Sequence, residues 1–278
     1  MAHRPCGLLW NSDQVTGYGL ELDDVEHARL RAQAAGVLSK GDLWSLAGVE
    51  PGSDVVDLGC GPAAVMLELV QLVGPTGTVT GVDADPGMVE RGRADVAAAG
   101  VENVSVREGL AQASGLPEAS FDVAVVRLVL IHNGGREQAI VDHAAALVRP
   151  GGRVLLTDLD STMIRVVPPT APVSELRERF MDYQRARGND PAVGLRLPEL
   201  LESAGLTLEL FRGNCSTRVR PSGERGPSWA ARRAMVEAGV ASAEDLERWA
   251  REFEVLDAQP RQPWMIGCGF NAIGRRAS

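Results

Sequence analysis

Aromatic residues are scarce in this 278-residue sequence, at 4%, and lysine is almost missing: Lys40 is the only one. The other basic residues are arginines, never more than two in a row. The 28 Lys and Arg are outnumbered by 37 Asp and Glu, which leaves a net charge of −9. Nucleic-acid binding leaves a basic footprint, so no nucleic-acid partner is expected. A cleft for a small phosphate is still compatible with the acidic total. The four cysteines, Cys6, Cys60, Cys215 and Cys268, stand far apart with no Cys-x-x-Cys pair. That removes the common zinc spacings, and no metal site is expected. A disulfide framework is not expected either, in a chain this long and this rich in apolar residues. No stretch reaches the roughly 18 apolar residues of a membrane-crossing helix. The opening MAHRPCGLLWNSD has no apolar segment of signal-peptide length. The expectation is a cytoplasmic protein with no membrane partner; a homo-oligomer is left open. Internal repeats and low-complexity tracts are missing too, which argues against solenoids and propellers.

Hydrophobic residues make up 45% of the chain, enough for one sizeable core. From 53 to about 160, short β-rich apolar runs alternate with helical segments. The strands are read at 53–59, 78–84, 104–109, 121–131 and 152–160, with helices at 62–73, 86–100 and 135–148. Such alternation means βαβ units and a parallel sheet with helices on both faces. After 160 the alternation breaks. A helix capped by Ser174 is expected within 168–188, and a helix, a Gly205 stop and a strand across 196–213. Ser242 is expected to cap a helix whose apolar stripe of Leu246, Trp249, Phe253 and Leu256 is core packing. A run at 263–274 is expected as an edge strand. The fold class is thus α/β: a Rossmann-like, seven-stranded, mostly parallel sheet. Residues 1–50 are read as a helical lid, 51–278 as the core, and 161–195 and 214–260 as helical insertions.

The densest signal is VVDLGCGPA at 55–63, where a buried strand runs into a glycine turn. Gly59 and Gly61 let backbone bend sharply and approach a ligand without a Cβ in the way. A following helix would offer unpaired N–H groups and positive dipole charge. Asp83 stands at the end of the next strand, in TVTGVDADPGM, where a carboxylate accepts both hydroxyls of a ribose. The pair points to a nucleoside ligand. Gly59, Gly61 and Ala64 also satisfy the Gly-x-Gly-x-x-Gly/Ala pattern of dinucleotide binders. Three features favour S-adenosylmethionine instead. Asp57 sits where a dinucleotide-binding strand is apolar, EGLAQASGLP precedes SFDVAVVRLVLIHN, and the sheet ends in a hairpin-like strand pair.

Residues 51–160 resemble class I methyltransferases, especially the ubiquinone/menaquinone-biosynthesis type. The resemblance rests on five ordered motifs, the last being LVRPGGRVLL at 147–156. It implies S-adenosylmethionine as the cofactor. Gly59, Cys60 and Gly61 would then lie against its methionine part, with Asp57 anchoring the ammonium. Asp83 would hold the ribose, Ala84 and Met88 would flank the adenine, and Gly109, Leu110 and Ala111 would meet its edge. Leu110 departs from the family, which usually places an Asp there. Ala63 replaces a third loop glycine. Cys60 is read as a small spacing residue and not a nucleophile. Arg127, in a strand read as buried, needs a partner; the cofactor carboxylate is one candidate.

Methyl transfer is a displacement at an already activated carbon, so the protein mainly supplies positioning and desolvation. A base is needed only where the acceptor must lose a proton. His132, Asp158 and Asp160 are expected at strand ends, where open α/β sheets bind ligands. His132 is the first candidate; His143, mid-helix, reads as structural. YGLELDDVEHARLRAQ at 18–33 resembles the N-terminal arm of actinobacterial small-molecule methyltransferases, which implies that Tyr18 lines the site. Tyr18 packing the arm on the core is the competing reading. The insertions supply Met163, Phe180, Met181, Tyr183, Trp229 and Trp249, read as a roof over a small, partly apolar substrate. Two alternatives stand beside methyl transfer: a cofactor-binding cyclase or non-methylating protein on the same fold, and an NAD-dependent oxidoreductase. The second lacks a Tyr-x-x-x-Lys pair.

Overall fold

A computed structural model describes residues 42–278. Seven strands form one sheet: β1 (Asp54–Leu58), β2 (Thr78–Asp83), β3 (Val104–Glu108), β4 (Phe121–Arg127), β5 (Val148–Val167), β6 (Thr207–Val219) and β7 (Trp264–Arg275). Their order is β3-β2-β1-β4-β5-β7-β6. The first five run parallel, and β7 pairs antiparallel with both β5 and β6. The expected α/β, mostly parallel sheet is therefore present. Two of its details differ. The run at 263–274 is not the edge, because β7 inserts between β5 and β6 and leaves β6 outermost. And the strands around it are long: β5 continues to Val167 through a register shift between Asp160 and Arg165. Both insertions therefore begin as strand and turn helical only later.

Period-2 alternation splits the strand residues between two cores. Val55, Val79, Val123, Val125 and Leu155 pack on one face with α2 (Met66–Val73) and α3 (Pro86–Ala99). Leu43 and Trp44 of the short α1 (Leu43–Leu46) join that core. Val56, Leu58, Val126, Val154 and Leu156 pack on the other face with α4 (Glu137–Leu147) and α6 (Leu197–Ser203). Among the described residues, helices thus cover both faces, as the right-handed crossovers of a parallel sheet require.

A third cluster lies apart in α5 (Ala171–Ala186), α7 (Pro227–Ala230), α8 (Arg232–Glu237) and α9 (Ala243–Asp257). The expected roof residues Phe180, Met181, Tyr183 and Trp249 are buried within this cap, at 7%, 5%, 5% and 1% exposure. They are the core of the cap and not the lining of a pocket, a correction to the sequence reading. Met163, by contrast, is 42% exposed. The Ser242 cap is as expected: its hydroxyl accepts from Asp245 N, and the Asp245 carboxylate accepts from Ser242 N at 2.9 Å. Ser174 caps nothing, since α5 already begins at Ala171 with Pro172 in its first turn. An ion cluster ties the cap to the strand ends. Arg220, 3% exposed, donates to Asp257 at 2.7 Å, and Arg225 donates to the other Asp257 oxygen at 2.8 Å. Burial pushes the Asp257 carboxyl up, but these bonds together with one from Gly223 N outweigh it and hold it well below the usual range.

Cys215 and Cys268 are directly opposed in the β6–β7 register and are disulfide-bonded. This corrects the expectation of no disulfide in a chain so long and so rich in apolar residues: the antiparallel register brings two distant segments side by side.

Candidate functional site

The parallel strands end together, and the sequence-selected residues collect at that edge. In strand order the chain leaves β1 for β2 and later returns to β4 on the other side of β1. This is a topological switch point, where open α/β sheets bind ligands in the crevice beyond the strand ends.

After β1 the backbone turns through Gly59 at φ 76°, Gly61 at φ 54° and Ala63 at φ 60°. Two of these left-handed positions are glycine, the residue that adopts them at little cost. Gly59 is also a close-approach residue: a Cβ there would lie 2.3 Å from a methyl of Val129. At Gly61 the space a Cβ would take is empty to 4 Å, so bare backbone faces open room. The helix starts later than expected, at Met66 with Val65 as its first flanking residue. Gly59 N and Cys60 N both donate to Val82 O, at 2.7 and 3.1 Å.

Asp83 ends β2 and binds the turns on either side. Its Oδ2 accepts from Gly61 N at 2.8 Å and its Oδ1 from Asp85 N at 2.9 Å. Each oxygen keeps a second lone pair for a ligand hydroxyl. Burial pushes this carboxyl up, and the two amides partly offset the rise. Asp85 caps α3 through bonds from Gly87 N and Met88 N, which fixes Ala84 and Met88 beside the acid. Gly109 N donates to Asp83 O at 2.9 Å. Leu110 follows, 39% exposed, and Ala111 is half-buried.

Asp57 is 3% exposed. It alternates with Val56 and Leu58, so it shares the face of Val55 and of Arg127, the last residue of β4. Burial pushes its carboxyl up to about 7; the Arg127 charge opposes this and the Asp83 charge adds to it. Cys60 lies close by, buried, its thiol raised well above normal by burial.

β4 stops at Arg127, short of the expected residue 131. Leu128 takes φ 57°, a left-handed conformation that costs a non-glycine residue about 1–2 kcal/mol, and Leu130–His132 form a 3₁₀ turn. His132 is half-buried at this turn. Asp158 lies on the opposite face of the sheet from Asp57, on the side of Leu156 and away from Leu155. It has no exposed surface. Its Oδ2 accepts from Ile131 N at 3.2 Å and its Oδ1 from Leu159 N at 2.9 Å. Burial pushes it up to about 7 against these amide bonds and the Arg127 charge. The sequence reading offered Asp158 as a base at the site. The structure instead sets its two oxygens against backbone amides. Asp160 likewise bonds Thr162 N at 2.8 Å. His143 is structural, as expected: its Nε2 accepts from Ser114 N at 3.1 Å, tying the loop after β3 to α4. Tyr18 and the 1–41 part of the lid lie outside the described residues. No metal-binding group of three or more His, Cys, Asp or Glu occurs among the described residues, and no helix there is long and apolar enough to cross a membrane.

A family described as methyltransferase domain matches residues 55–152, the segment that builds this edge. The aklanonic acid methyltransferase of Streptomyces sp. (strain C5) is 33% identical over 63% of this chain and 79% of its own length. The chain belongs to the methyltransferase family. The nocamycin O-methyltransferase of Saccharothrix syringae is 37% identical over 41% of each chain. The chain spans 36%, 41% and 44% of the length of the first three curated relatives it matches. In structure it is similar to a putative methyltransferase of Bacillus halodurans, with TM-score 0.58 at 15% identity, covering 89% of this chain and 100% of that one. This last likeness concerns the fold. Sequence reasoning missed Leu128 and Val129, whose importance comes from where the chain turns and not from residue type.

Proposed function

We propose that this protein transfers the methyl group of S-adenosylmethionine to a small metabolite. The observation that carries the proposal is the pairing of Asp57 and Asp83 on either side of the Gly59–Gly61 turn. A buried carboxylate pushed up to about 7 is one whose charge lacks full compensation. The cofactor's ammonium would supply that charge. Open space at the Cβ position of Gly61 accommodates its methionine part against bare backbone. Asp83, with spare lone pairs, accepts the ribose hydroxyls. Ala84 and Met88 flank the adenine, with Gly109, Leu110 and Ala111 at its edge. Arg127 faces the same side as Asp57 and suits the cofactor carboxylate.

When bound, the cofactor supplies an electrophilic methyl on a sulfonium centre. The chain's own residues hold it, exclude water and set the line of approach. His132, on the turn after β4, accepts a proton from an acceptor that must lose one. A small acceptor is favoured by the acidic net charge and by the names of the aklanonic acid and nocamycin enzymes. The test is incubation with methyl-labelled cofactor and a panel of polyketide, isoprenoid and alkaloid acceptors. Label should appear in product together with S-adenosylhomocysteine. Tight cofactor binding with no label transferred to any acceptor would favour a non-methylating role on the same fold. NAD binding without a response to S-adenosylhomocysteine would refute the reading outright.

A further inference from the structure

The turn carrying His132 is fastened from two sides by side chains with no evident place in cofactor binding. Beneath it, Asp158 reaches from β5 and accepts from Ile131 N at 3.2 Å. Beside it, Asn189, just past the end of α5, accepts from Gly134 N at 2.9 Å. Asn189 is itself held by Gln184: its backbone N–H donates to Gln184 O at 3.0 Å and its side-chain amide to Gln184 Oε1 at 3.3 Å. Both amide residues are buried, at 7% and 5% exposure. The contact is backbone on backbone: a Cβ at Gly134 would fall 2.0 Å from Gly188 O, so only glycine lets the two loops meet. On its third side the turn touches the cofactor loop, where Val129 fills the space beside Gly59. Between these supports the chain follows a path it would not choose unaided, with Leu128 left-handed. Such a conformation persists where its surroundings over-determine it.

We propose that Asp158 and Asn189 are positioning residues that hold the His132 turn against the cofactor loop and couple it to the helical cap. Asp158 sets its depth, and Asn189 ties its far end to α5. Since α5 packs in the core of the cap, displacement of the cap pulls on Gly134 and so on His132.

This inference rests on the reading that His132 faces the reacting methyl, and the two are separable. Imidazole resonances of His132, assigned by comparison with H132Q, are followed by NMR in the whole chain. Addition of S-adenosylhomocysteine to the wild-type protein tests the placement of His132; the variants test its positioning, with or without ligand. N189A and D158N should each move the His132 resonances and titration midpoint while leaving those of His143 in place. S-adenosylhomocysteine affinity should stay within about threefold, since Asp57 and Asp83 are untouched. G134A, whose Cβ would fall 2.0 Å from Gly188 O, forces the same two loops apart without touching Asn189 and should move the His132 signals in the same way. Should D158N or G134A fail to fold, N189A decides alone. Folded N189A with wild-type His132 signals would overturn the proposal, because a merely structural residue lowers stability without moving the imidazole.

Discussion

The state of Asp57 before cofactor arrives makes affinity depend on pH in a way that no surface carboxylate would. Its carboxyl is pushed up to about 7, mainly by burial, so near neutrality half the ligand-free molecules carry a proton there. An ammonium ligand binds the ionised form, and the proton must leave first. Affinity for S-adenosylhomocysteine should then rise as pH increases through 7 and level off above it. Between pH 6 and pH 8 the gain works out at about tenfold, or about 1.4 kcal/mol. Calorimetry in buffers of different ionisation enthalpy should show nearly one proton released on binding at pH 6 and almost none at pH 8. D57N removes the titrating group, so its affinity should be low and flat across that range. An H132Q control separates any imidazole contribution, because histidine titrates nearby. Without ligand the same raised value acts in the opposite sense. The folded state binds a proton that the unfolded chain does not hold between pH 7 and about 3.9, so the Asp57 contribution to stability grows as pH falls through that window. A wild-type affinity that is flat from pH 6 to 8 with no proton released, or a D57N variant that keeps the slope, would refute the assignment of Asp57 to the ammonium.

Three further outcomes follow from the geometry. G59A places a Cβ 2.3 Å from Val129 at φ 76°, so S-adenosylhomocysteine affinity should fall at least about tenfold; adding V129A relieves the clash but not the backbone strain and should recover only part of the loss, as calorimetry would show. D257A leaves Arg220 buried without its carboxylate, and urea denaturation should register a loss of about 2–3 kcal/mol. Asp257 is held low, so wild type keeps this contribution above the ordinary carboxylate range and loses it as pH drops well below. The His143 ring is held below its usual value by burial; its neutral form is the one that accepts from Ser114 N, so its contribution should fade as pH drops below about 6.5. The stability difference between wild type and H143Q should therefore shrink between pH 7.5 and 5.5, and a constant difference in urea midpoints would count against that role.

Residues whose meaning is local were legible in the sequence. Gly59 and Gly61 need left-handed backbone whatever surrounds them, the alternation of Val55, Asp57 and their neighbours separates two faces by chain geometry alone, and Ser242 followed by Asp245 caps a helix through bonds within one turn. The succession of strands and helices between 53 and 160 pointed to the parallel sheet that is present, with its switch point between β2 and β4 at β1. Other features depended on what lies across the fold. The β5–β7–β6 pairing placed Cys215 against Cys268 and moved the expected edge strand inside, because register between antiparallel strands is a property of the pair. β4 ended at Arg127, and the left-handed Leu128 that follows carries no turn signature in its residue type. Phe180, Tyr183 and Trp249 went into a core of their own because four helices together bury them, whereas a pocket wall would leave them wet. Burial likewise decided the chemistry of Asp57 and Asp158: both are plain aspartates in the sequence, and only the packed sheet around each pushes its carboxyl up to about 7.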